Sequence, residues 1–255
     1  MALIPRIAAV SYLNTIPFIY GIRHAGELHA ELLLTPPAFC AKNFADGFAD
    51  IALLPSAVVP ELRGADLITD YCIGAVGEVR TVVVVSNTPI EEVRRIWLDG
   101  HSRTSVQLTG YLAARRWHVA PEWLALEDYA VLDTPQDGDA FLLIGDKVFD
   151  HEDEFIYSYD LAAEWNAATG MPFAFAVWVA RKGVPYEITD ALERSLTFGV
   201  ERIYESVLAS EYRDRAYAYD YLTHNIDFLF DNEKRKALQK FWTSGVKVTP
   251  RVEPG

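Results

Sequence analysis

At 255 residues the chain can fold as one large domain or two smaller ones, with ample core for either. About half of its residues are apolar and 23% are charged, a globular composition. The formal net charge is −13 and Lys and Arg form no dense block, which argues against nucleic acid as a partner.

The apolar run "RIAAV" (6–10) reads as a first strand, 17–25 as a helix and "AELLLT" (30–35) as a second strand. A helix is predicted over 38–47, ending near Gly47, and "DIALLPS" (50–56) is a third strand. Strands that alternate with helices at this spacing predict right-handed βαβ units and a parallel sheet covered on both faces. In "YCIGAVGEVRTVVVVSN" (71–87) a loop carrying Gly74 and Gly77 leads into the run of valines, one of the most β-prone stretches of the chain. Beyond it, "PIEEVRRI" from 89 reads as a short helix, "IWLD" (96–99) as a strand and 102–117 as an amphipathic helix. "DAFLLIGDKVF" (139–149) and "MPFAFAVWVARKG" (171–183) are further β-rich runs. After them Ile188, Leu192, Leu196, Val200, Ile203 and Val207 form one apolar stripe on a helix over 187–208. Two more helices are predicted in 212–242, making the C-terminal part all-helical.

Strand runs near 80–87 and 173–180 thus bracket a middle block with its own alternation. The resulting prediction is two α/β lobes, one built from 1–87 and 173–255 and the other from 88–172. Each would have a mixed, mostly parallel sheet with helices on both faces, and a ligand cleft would lie where the lobes meet. An undivided doubly wound sheet is the competing architecture.

There is no phosphate-binding glycine loop, dinucleotide fingerprint or nucleophile elbow. His24, His29, His101, His118, His151 and His224 lack metal-ligand spacing and are read as surface or packed residues, so neither metal nor cofactor is expected. What remains is a set of strand ends carrying small polar side chains: Ser11 and Asn14, then Ser56, then the helix opening Ser102, Arg103, Thr104 and Ser105, and Asp146. In parallel α/β sheets ligands sit outside the carboxyl ends of strands, where helix N-termini favour carboxylates. Two readings stay open for "SRTS" (102–105): a hydroxyl that caps the helix, or an anion cradle completed by Arg103. Asn14 and Asp146 are equally open to structural roles. Thr81 falls where a crossing segment would expose its hydroxyl to the cleft. Trp165 and Trp178 read as core rather than as a substrate box. The cysteines Cys40 and Cys72 suit a reducing compartment, and "MALIPRIAAVSYLN" has neither a basic leader nor a cleavage site. No apolar run reaches the roughly 20 residues of a membrane helix, so the cytoplasm is expected, with no membrane partner.

"AVSYLNTIPF", "DIALLPS", "GEVRTV", "SRTS", "LLIGD", "YDLAAEW" and "TGMPFAFAVW" occur in order, and together they resemble the chorismate dehydratases of the futalosine route to menaquinone. The resemblance runs from residue 6 to about 182. It implies the two-lobed fold of type II periplasmic binding proteins and a lyase that removes water from chorismate to give 3-[(1-carboxyvinyl)oxy]benzoate. A sister enzyme of the route, dihydroxynaphthoate synthase, shares the fold but differs from "SYLNT". Glu78 and Thr81 depart from the Pro and Ser more usual in the family. With the resemblance, Asn14 is the expected catalytic residue. Ser11, Asn14, Ser56, Thr81, Ser102, Arg103, Thr104, Ser105 and Asp146 are the expected substrate contacts, and one of the substrate's own carboxylates would serve as base. A non-catalytic receptor or sensor for small carboxylates is the rival, because a fold does not decide function.

Overall fold

The computed structural model describes residues 4–252. Strand β1 (Arg6–Val10) is buried from Ile7 onward and lies between β2 (Glu31–Thr35) and β3 (Ile51–Pro55), both parallel to it. Helices α1 (Ile16–His24) and α2 (Pro37–Ala45) make the crossovers, each with a proline in its first turn where the missing N–H is harmless. A 3-10 segment (Ser56–Glu61) leads into β4 (Ala65–Ala75). Then follow β5 (Val82–Ser86), β6 (Arg95–Leu98), α3 (Arg103–Leu112), β7 (Glu122–Ala125) and β8 (Asp139–Ile144). The short α4 (Val148–His151), β9 (Tyr157–Asp160) and α5 (Leu161–Thr169) complete the middle. The chain returns through β10 (Phe173–Arg181) to α6 (Tyr186–Val200), α7 (Ile203–Ala209), α8 (Arg215–His224), β11 (Asp227–Leu229) and α9 (Asn232–Trp242).

Two sheets result, which excludes the undivided doubly wound sheet. The six-stranded sheet has the order β11-β4-β10-β3-β1-β2, and the five-stranded sheet β7-β6-β8-β5-β9. Both are mixed: β10 runs antiparallel to β3, and β5 antiparallel to β8 and β9. The first compact unit comprises the chain up to Ala75 with Ala174–Arg235, and the second Val76–Phe173 with the chain from Lys236.

The change of unit at 173/174 lies one residue from the 172/173 expected, but the one expected at 87/88 falls at 75/76. Val82–Ser86 belongs with the second sheet because β5 takes its hydrogen bonds from β8 and β9. The last stretch also belongs there, not with the first lobe. The Gln107 side chain donates to Val248 O at 2.8 Å and accepts from Val248 N at 2.9 Å, and Leu124 bridges to Arg251. The predicted helix at 89–96 is only a 3-10 turn at Ile90–Glu92. The helix expected over 102–117 changes at Ala113 into a π-turn that ends on left-handed His118. The single stripe of 187–208 is two helices, because Arg202 leaves helical backbone angles. β11 interrupts the C-terminal part that was expected to be all-helical.

In the first unit Phe18 anchors the core, with edge contacts to Trp178 at 5.8 Å and Phe228 at 5.2 Å between ring centroids. Helix α1 meets α6 at Gly21 and Gly199, where backbones approach too closely for any side chain. In the second, Trp165 packs between Tyr111 and Phe173, at 4.8 and 5.0 Å. Trp165 and Trp178 are both fully buried, as core residues. Among the described residues no helix is long and apolar enough to cross a membrane, and no group of three or more acidic, His or Cys side chains could hold a metal ion.

Candidate functional site

Within the first unit, the carboxyl ends of β1 and β3 lie side by side in the parallel register Ala8↔Ala52. Ser11 and Asn14 follow one strand and Ser56 the other, so three of the candidates share one sheet edge. Thr15, almost fully buried, does the structural work: its hydroxyl donates to Val10 O at 2.6 Å and to Tyr12 O at 2.8 Å. Those bonds fold 11–15 into a tight cap whose 3-10 turn, Leu13–Thr15, carries Asn14. Ser11 is exposed and Asn14 half-buried. Neither side chain has a hydrogen-bond partner among the described residues, so the amide and the hydroxyl remain available to a ligand. Ser56 is different. It is fully buried, and its hydroxyl donates to Ala174 O at 2.7 Å, tying the end of β3 to the start of β10.

In the second unit β6 and β8 run parallel while β5 starts beside the end of β8. Thr81, Ser102–Ser105 and Asp146 therefore gather at one edge of that sheet. Ser102 is the N-cap of α3: its Oγ accepts from Ser105 N at 3.3 Å and from Ser105 Oγ at 2.9 Å. Thr104 and Ser105 are buried, whereas Ser102 is half-buried and Arg103 exposed. Asp146 is half-buried in the 3-10 turn Gly145–Lys147. Thr81 does not expose its hydroxyl as expected. It is 2% exposed, because Gly145 N donates to Thr81 O at 2.8 Å and draws the residue into the sheet.

The turn ahead of Thr81 is held by a residue that sequence reasoning missed as a participant. Asp160 closes β9 and caps α5, accepting from Ala162 N and Ala163 N at 2.9 and 3.0 Å. Its other oxygen accepts from Val79 N at 3.0 Å and Arg80 N at 2.7 Å, holding Arg80 at a left-handed φ of 61°. Burial pushes its carboxyl up from the usual range, and the four N–H donors only partly offset that.

A second missed group surrounds Asp99, which follows β6. Its carboxylate, 1% exposed, accepts from His101 N at 2.8 Å, from Lys147 Nζ at 3.1 Å and from the Tyr129 hydroxyl. The signal was present in "IWLD" and "YSYD", where an acid ends a strand and must find partners once buried.

A family model described as menaquinone biosynthesis matches residues 5–247. The chain belongs to the menaquinone biosynthesis family. This family member shares its fold with proteins of low identity. Protein AF1704 from Archaeoglobus fulgidus is 17% identical, with a TM-score of 0.72 over 93% of this chain and 95% of that one. The CA3427 gene product of Candida albicans, described as exhibiting the generic periplasmic binding protein structural fold, is 11% identical with a TM-score of 0.65, covering 97% and 92%. The alkanesulfonate-binding protein SsuA from Xanthomonas axonopodis pv. citri, bound to MOPS, is 13% identical with a TM-score of 0.61, covering 93% and 91%. The fold is therefore periplasmic-binding-protein-like.

Proposed function

We propose that this member of the menaquinone biosynthesis family is a chorismate dehydratase, eliminating water from chorismate to give 3-[(1-carboxyvinyl)oxy]benzoate. The observation that carries the reading is the Asn14 side chain. It is an amide held at a strand end by Thr15, with no partner of its own among the described residues, within the "SYLNT" stretch that favours the dehydratase over its sister enzyme. A proton leaves the ring carbon bearing the enolpyruvyl ether and hydroxide leaves the neighbouring carbon, so the ring becomes aromatic. With so much intrinsic driving force the enzyme needs positioning and charge stabilisation more than a strong base. In this reading Asn14 and Ser11 orient the ring hydroxyl and the enolpyruvyl group, and one substrate carboxylate takes the proton. Arg103, exposed at the start of α3, and the half-buried Ser102 and Asp146 lie at the strand ends of the second unit. The buried hydroxyls of Ser56 and Thr81 donate to the backbone at Ala174 O and Val79 O, that of Ser105 donates to Ser102 Oγ, and Thr104 is buried beside it.

The test is purified protein with excess chorismate, followed by ultraviolet spectrum and chromatography. Many turnovers are expected, and Asn14→Ala should lower kcat by more than the roughly tenfold that 1.4 kcal/mol represents. Turnover of that variant within a factor of two of wild type removes Asn14 from the mechanism. The likeness to a sulfonate-binding protein supports a second reading, a receptor for small carboxylates. Stoichiometric binding without loss of chorismate would favour it.

A further inference from the structure

Asp99 sits where the core has no use for an acid, and a buried carboxylate is unfavourable unless fully paired. Its partners come from two other segments, the 3-10 turn Tyr129–Asp133 and the turn after β8. Lys147 Nζ donates to Asp99 Oδ2 at 3.1 Å, to the Tyr129 hydroxyl at 2.6 Å and to His101 Nδ1 at 3.2 Å, and it lies 4.4 Å from the centre of the Tyr129 ring. An ammonium can only donate, so in the tautomer where His101 Nδ1 accepts from it the ring N–H is at Nε2, and Nδ1 also lies 3.6 Å from Asp99 Oδ1. The pair is also oriented. The Lys147 side chain is 33% exposed and that of Asp99 only 2%, so the lysine is the more accessible member of the pair. His101, 52% exposed, stands beside it with its Nδ1 turned inward.

In a chain of net charge −13 an anionic ligand needs such a local positive end. At the start of α3 the Ser105 hydroxyl is spent on Ser102 Oγ and Thr104 is fully buried, so among these side chains only the Ser102 O–H and Arg103 face outward beside this group. We propose that His101 and Lys147, held in place by Asp99 and Tyr129, are the carboxylate-binding pair of the second unit. The proposal rests on the reading of this protein as one that takes small carboxylates, by turnover or by binding alone. The carboxylate accepts a hydrogen bond from His101 Nε2–H and is attracted by the nearby ammonium of Lys147. Asp99 and Tyr129 are positioning residues, which never touch the ligand.

The probe is isophthalate, a rigid aromatic dicarboxylate, titrated into the intact protein by calorimetry with the His101 imidazole signals followed by NMR. Wild type should bind it and shift those signals. His101→Ala, at an exposed position, should keep the thermal midpoint and weaken binding at least fivefold, and His101→Gln, which retains a donor, should recover part of the loss. Asp99→Asn with Lys147→Met, made together so that no buried charge is left unpaired, should weaken binding at least tenfold. Where wild type turns over chorismate, the same variants should raise KM by these factors with kcat changed less than twofold, a split that lost stability alone does not produce. Failure of chorismate turnover with isophthalate binding retained refutes the dehydratase reading only. Affinity or KM of His101→Ala within twofold of wild type overturns the proposal, as does isophthalate binding that leaves the His101 signals unmoved, or absence of both binding and turnover.

Discussion

Replacing Gly199 with alanine sets two effects of opposite sign against each other. In an isolated helix the change favours α6 by about 1 kcal/mol, since glycine is the poorer helix former. Here the added Cβ would stand 1.9 Å from Pro17 O, and at Gly21 the reciprocal Cβ would stand 1.9 Å from Ser195 O. Both obstacles are backbone carbonyls, which cannot swing aside as a side-chain tip can. Relief requires α1 and α6 to separate by more than ~1 Å, and a gap of that size forfeits a quarter to a half of the dispersion energy of each contact along the interface. Overpacking of this kind costs about 1–3 kcal/mol, and a rigid obstacle puts it at the upper end. The net effect is destabilisation of about 2 kcal/mol, read as a fall in thermal midpoint of about 4–8 °C at this chain length. Urea titration with tryptophan fluorescence should show a lower midpoint at unchanged slope. Gly77, whose Cβ would meet nothing within 4 Å, provides the control and should be near neutral as alanine. A Gly199→Ala protein that melts at or above wild type would refute the close approach and leave helix propensity in command.

Two carboxylates should give pH dependences of opposite sign. Burial raises Asp50, but the hydrogen bonds and charge of Arg6, bonded through its backbone N at 2.9 Å, outweigh it and hold the carboxyl below its usual range. Asp50 thus contributes stability above the ordinary carboxylate pKa, which is lost as pH falls through the depressed value. Urea midpoints of Asp50→Asn should lie below wild type at pH 7 and converge with it in acid. For Asp160 the folded pKa is raised, so its contribution is fullest in acid and diminishes as pH rises through that value. The advantage of wild type over Asp160→Asn should therefore shrink between acid and neutral pH, and an advantage that grows would contradict the assignment. The asparagine keeps only one acceptor oxygen, so the variant should also speed amide hydrogen exchange at one of the two pairs Asp160 holds, Val79 and Arg80 or Ala162 and Ala163.

Periodicity located β1, β2, β3, α1 and α2 to within a few residues because each is a short apolar segment bounded by turn chemistry. It did not reveal β4, whose first half, "ADLITD", is charged and mostly solvent-facing and lacks a continuous apolar run. Nor did it place β5. A run of four valines reads as a strand anywhere, and only the partners β8 and β9 assign it to the second sheet. The candidate site divided in the same way. Small polar residues at strand ends were visible as types, but the sequence could not separate Asn14, whose amide has no partner among the described residues, from Thr15, whose hydroxyl is spent on Val10 and Tyr12.

By itself, then, the order of residues determined the class of fold, the family and the strand ends where polar chemistry would collect, because these depend on local pattern and on motifs read in series. The tertiary structure alone decided which strands share a sheet and where the C-terminal stretch docks. It also decided which hydroxyls are occupied, and it brought Asp99, Tyr129 and Lys147 together. Each of those outcomes depends on hydrogen bonds between residues tens of positions apart, and no local window of sequence contains both partners.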